Sequence, residues 1–138
     1  MAPGSVPAEW RQRRVAVKVR FPGPLQFVDL ESAESIEVLR KKLGHRLAVL
    51  GHDDLDLSVV KGPDRQITRL ISHWIYSEAD EAGRPLYAGI RYLSRLDSGW
   101  ECWAAFEDVE MEEVIRQPIL RTEPRLQNVA KLFGLTVF

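Results

Sequence analysis

The chain is poor in the residues that build metal centres and disulfides. It has one cysteine, Cys102, and three histidines, His45, His52 and His73, in 138 residues. A lone cysteine excludes an internal disulfide and fits a reducing, cytoplasmic setting. Cys102 sits in an apolar run and reads as a buried structural thiol rather than a nucleophile. No cysteine pair exists for a zinc knuckle, and the histidines fall at no metal-ligand spacing, so no metal is expected. His52-Asp53-Asp54 reads as a solvated loop. Charge of one sign is also missing: 19 Lys and Arg against 20 Asp and Glu leave −1. That gives no field to gather nucleic acid or an anionic membrane, and neither partner is expected. No apolar run approaches the roughly 20 residues that span a bilayer. Residues 1–7 lack the basic start and apolar centre of a secretion signal. Gly-x-Gly-x-x-Gly, Gly-x4-Gly-Lys-Ser/Thr and Gly-x-Ser-x-Gly are all absent, so those phosphate cradles and that nucleophile elbow have no support.

What is present suits one soluble domain: 45% hydrophobic and 28% charged residues, with four Trp, five Phe and three Tyr for a core. Residues 1–14 read as a flexible N-terminal segment, rich in small residues and ending in the basic cluster 11–14, and residues 15–138 as a single domain. Val15, Val17 and Val19 alternate with Ala16, Lys18 and Arg20, the period of a strand with one wet face. Phe21-Pro-Gly-Pro24 forces a turn, and residues 25–30 read as a second strand. A helix is expected over 32–44, with Ser32 at its start, Gly44 at its end and Ile36, Leu39 and Leu43 inward. Leu55, Leu57 and Val59 alternate, which predicts a short strand. Residues 64–78 are the clearest helix. Asp64 can cap it, and Ile67, Leu70, Ile71, Trp74 and Ile75 form one apolar stripe expected to pack on a sheet. A last helix is expected over 122–133 with Pro124 in its first turn, and a terminal strand or docked tail over 135–138. Interspersed strands and helices without strict βαβ alternation give an α+β (mixed α/β) class, with a mixed central sheet and flanking helices.

One stretch looks like a site as well as a fold. Two apolar runs, 88–93 and 102–106, flank a polar loop, and Arg91, Tyr92, Ser94 and Arg95 gather at the end of the first. A strand end feeding a loop places hydroxyl and guanidinium groups beside a ligand. The plainer reading is a β-hairpin with solvated charges. On alternation, Ile90, Tyr92 and Ser94 share one face, while Arg91, Leu93 and Arg95 lie on the other.

Gly89-Ile-Arg-Tyr-Leu-Ser-Arg, followed by Cys102-Trp-Ala-Ala-Phe, resembles the C-terminal half of the RES domain. Val28-Asp-Leu30 and the segment 66–76 are similar to that family's middle part, so the resemblance spans residues 21–108. It implies a fold similar to ADP-ribosyltransferases. It also implies a toxin–antitoxin activity in which NAD loses nicotinamide by phosphorolysis or hydrolysis, that is, an NAD phosphorylase or glycohydrolase. Only Ser94 carries over cleanly, as the residue that helps position the dinucleotide or its ribose at the bond being cut. Tyr92 and Trp100 are expected to stack on a ring, and Arg91 or Arg95 to hold a phosphate through the planar guanidinium fork. The family's Arg and Glu lie before the Val-Asp-Leu strand. Glu9, Arg11, Arg13, Arg14 and Arg20 precede it here, none in the family's helix pattern, so the expectation is a C-terminal portion or a divergent member. NAD, an antitoxin protein and a second copy of the chain are the partners implied. Three functions stay open: a RES-type NAD-consuming enzyme, a non-catalytic RES-like binding module, and a small cytoplasmic interaction domain.

Overall fold

The computed structural model describes residues 4–138. The fold is α+β, and the chain divides into two compact units. One unit comprises residues 4–22 and Glu110–Phe138; the other is the continuous segment Gly23–Val109.

In the first unit, β1 (Ser5–Val6) runs parallel to β7 (Thr136–Val137). β2 (Val15–Arg20) pairs antiparallel with β6 (Glu112–Pro118), with a register shift between Lys18 and Val19. Of the segment expected to be flexible, residues 1–3 lie outside the described residues. The rest carries β1 and the short helix α1 (Ala8–Gln12), and Arg11 ties it down: its Nε donates to the Phe138 carbonyl at 2.8 Å. α5 (Pro124–Leu132) opens on Pro124, as expected. It stops where Gly134, at φ 63°, lets the Leu135 N–H reach back to the Ala130 carbonyl at 2.7 Å. The alternation in β2 does not produce one dry face. Val15, Val17 and Val19 are all exposed.

The second unit carries the core. β3 (Phe27–Asp29) lies parallel to β4 (Gly89–Leu93), which pairs antiparallel with β5 (Glu101–Ala105). The result is a mixed three-stranded sheet in the order β3-β4-β5. A parallel pair needs a crossover. Here α2 (Ala33–Val49), α3 (Leu57–Val60) and α4 (Arg65–Ser77) supply it. Ile36, Leu39, Leu43 and Leu47 of α2 meet Ile67, Ile71 and Ile75 of α4 and Ile90 of β4 in one apolar cluster. Leu70 and Trp74 pack against that cluster only partly buried.

Two expected boundaries change. α2 runs through Gly44 because Leu47 continues its apolar face. It ends at Gly51, whose φ of 84° allows the His52 N–H to bond the Leu47 carbonyl at 2.9 Å. The strand expected around Leu55–Val59 is instead helix α3. The Asp56 side chain accepts from the Val59 N–H at 2.9 Å and caps a helical turn there.

Candidate functional site

Strand direction assembles the candidate site. Because β3 and β4 are parallel, their C-terminal ends meet at one edge of the sheet, the edge at which ligands sit in open α/β sheets. Glu31 follows the first strand closely and Ser94 the second. A cavity of about 810 Å³ opens there. Ile90, Tyr92, Cys102 and Ala104 line it from one face of the sheet, and Arg65, Thr68, Ile71 and Ser72 from the first turns of α4. The loop before α4 contributes Lys61 and Gly62. The floor is thus apolar and the rim carries hydroxyls and charge, the usual make-up of a small-molecule pocket.

Tyr92, Ser94 and Arg95 all line this cavity. Tyr92 and Ser94 share the face of Ile90, as alternation predicts. Arg95 joins them because β4 has ended at Leu93 and the chain has left strand geometry. Ser94 is half-buried; its N–H donates to the Trp100 carbonyl at 2.8 Å and its Oγ accepts from the Leu96 N–H at 3.1 Å. Among the described residues no imidazole or carboxylate reaches that hydroxyl, so it is suited to position a ligand rather than to attack one. Trp100 is not among the lining residues.

Arg91 is turned to the opposite face of the sheet. Its Nη1 lies 3.1 Å from Asp29 Oδ1 and its Nη2 3.1 Å from Glu101 Oε2. The Glu31 backbone N–H and then the Arg91 guanidinium hold Asp29 below the usual carboxylate range, against burial. Arg91 likewise lowers Glu101. This face also carries Phe27 edge-on to Trp103, with ring centroids 5.0 Å apart. Arg91 is therefore engaged away from the cavity, and its expected phosphate contact has no counterpart there.

Glu31, Lys61 and Arg65 are site residues that the sequence reading missed. Lys61 Nζ lies 2.8 Å from Glu31 Oε2, and the Leu93 N–H donates to Glu31 Oε1 at 3.0 Å. Burial pushes the Glu31 carboxyl up, but Lys61 and the Leu93 N–H outweigh it and leave the group below its ordinary range. Arg65 and Arg95 have no acid partner among the described residues, so the rim keeps unspent positive charge. The usable signal for Glu31 was its place just after a strand parallel to the one that Ser94 follows. Cys102, expected to be buried, is partly exposed and lines the cavity. No group of three or more His, Cys, Asp or Glu suited to a metal occurs among the described residues. His52 Nε2 faces Asp64 Oδ2 at 3.4 Å. No described helix is long and apolar enough to cross a membrane.

No family model, curated protein or solved structure matches the chain.

Proposed function

We propose that this chain is a RES-like protein that binds NAD in the Gly23–Val109 unit and acts, slowly, on its nicotinamide–ribose bond. One observation carries the reading: Tyr92, Ser94 and Arg95, three residues of the Gly89–Arg95 motif that carries the resemblance, line a single cavity with two further cations, Lys61 and Arg65. Its volume lies within the roughly 300–1,000 Å³ typical of ligand sites. Arg65 and Arg95 suit a pyrophosphate, the apolar floor and Tyr92 suit a ring, and the Ser94 hydroxyl suits a ribose.

In the proposed reaction the bond from ribose C1′ to the nicotinamide nitrogen breaks, and its electron pair leaves with nicotinamide. Positive charge develops on the ribose, and water or phosphate then bonds C1′ and releases a proton. Preorganised groups facing that charge supply most of the rate, and removing one costs about 10²–10³. The family's Arg and Glu pattern has no match in this sequence. Binding therefore exceeds chemistry here, since the two are separable. A reducing cytoplasm suits the free Cys102.

Calorimetric titration of NAD, run beside a nicotinamide-release assay with and without phosphate, tests the reading. The expected result is saturable binding, weakened about tenfold by Arg95→Ala, with nicotinamide release close to background. Binding with no release at all would favour the non-catalytic module. Failure of NAD to bind at millimolar concentration would overturn the proposal.

A further inference from the structure

Glu31 is the one carboxylate among the residues lining the cavity. Its side chain is 13% exposed, an unusual place for a charge unless it is paired. Both oxygens are held: Oε1 by the Leu93 N–H at 3.0 Å and Oε2 by Lys61 Nζ at 2.8 Å. A carboxylate offers roughly four acceptor directions. About two therefore remain on a group that borders open space. An ionised carboxylate cannot donate, and it repels phosphate. Whatever part of a ligand meets Glu31 must bring hydrogen-bond donors without negative charge.

We infer that Glu31 receives the vicinal hydroxyls of a ribose, with Lys61 acting as a positioning residue that holds the carboxylate in place. The inference rests on the proposed nucleotide reading and assigns one of its subsites. Two hydroxyls on adjacent carbons match a two-oxygen acceptor, and a single ring amine does not fill both positions. The register supports the same placement. Glu31 is hydrogen-bonded to Leu93, and Ser94 is the next residue, so an acceptor and a hydroxyl flank one spot at the strand ends. Arg65 and Arg95, without acid partners among the described residues, are left for the phosphates. The pocket thus sorts a nucleotide by chemistry, with the sugar at the carboxylate and the phosphates at the guanidinium groups.

The test is a calorimetric comparison on the full chain of AMP and nicotinamide mononucleotide, each against its 2′,3′-dideoxy counterpart, with NAD as reference. The wild type is expected to bind at least one hydroxylated member about tenfold more tightly than its dideoxy form. In Glu31→Gln, which replaces an acceptor by a donor, that ratio should fall to within about twofold. Lys61→Met should shrink it as well. NAD binding with no preference for the diol in the wild type overturns this inference and leaves the NAD reading standing. So does an equal preference in wild type and Glu31→Gln. Absence of NAD binding overturns both. The wild-type comparison needs no variant, so a variant that fails to fold does not block the outcome.

Discussion

At the scale of single residues, two arginines four positions apart have different fates. Arg91 points away from the cavity and is fixed between Asp29 and Glu101; Arg95, past the strand end, borders the cavity without an acid partner among the described residues. Strand parity places Arg91 from the sequence alone. It misplaces Arg95, because parity stops applying where the strand stops. Gly89 is a residue whose size is fixed by its neighbours: a Cβ there would lie 2.0 Å from the Ala104 carbonyl oxygen and 2.7 Å from Phe27. Gly89→Ala should therefore cost more than the roughly 1–3 kcal/mol typical of overpacking, read as a lowered urea midpoint. An unchanged midpoint would show that β4 and β5 tolerate separation. Glu31 gives a pH prediction. Its carboxyl lies below its ordinary range in the folded chain, so the unfolded chain takes up a proton at higher pH. The stability it contributes is present above the ordinary carboxylate range and is lost as pH falls through its folded-state value. Wild type should thus be more stable than Glu31→Gln at about pH 7, and the gap should close toward about pH 3. Urea midpoints at the two pH values check this, and a gap that does not close contradicts it.

At the scale of elements, the helices with caps and continuous apolar stripes were legible. Asp64 caps α4 by accepting from the Gln66 N–H at 2.8 Å, and Ile67, Ile71 and Ile75 of the expected stripe are buried. The weight within that stripe is uneven. Ile75 is fully buried, whereas Trp74 is only partly so. Ile75→Ala should lower stability by about 2–5 kcal/mol, and Trp74→Ala by less than the roughly 3–5 kcal/mol of a fully buried aromatic. Chemical denaturation checks the order, and a larger loss for Trp74→Ala would reverse it. Elements that depend on distant partners were not legible. β6 carries charge on both faces, every residue in it is exposed, and it exists by pairing with β2 far back in the chain. α1 is five residues long and has no side-chain cap to announce it. The alternation of Leu55, Leu57 and Val59 suggested a strand, but the Asp56 cap decides the local geometry in favour of α3.

At the scale of the whole molecule, the first compact unit is assembled from both ends of the chain, and composition carries no trace of such long-range pairing. The Gly23–Val109 unit was more legible. Its strand-end residues Tyr92 and Ser94 fall where alternation puts them, while Glu31 and Lys61 join them through the parallel β3–β4 pairing and the loop before α4. The lone Cys102 on the cavity wall provides a chemical reporter. Saturating NAD should slow its modification by a small maleimide, and an unchanged rate in a chain that binds NAD would place the ligand elsewhere. The central claim is that NAD occupies this cavity, and an amide chemical-shift titration of the 138-residue chain with NAD tests it most directly. The account predicts saturable shifts concentrated at Glu31, Lys61, Arg65, Tyr92, Ser94 and Arg95. No shifts at millimolar NAD, or shifts confined to the opposite sheet face around Asp29, Glu101 and Trp103, would contradict it.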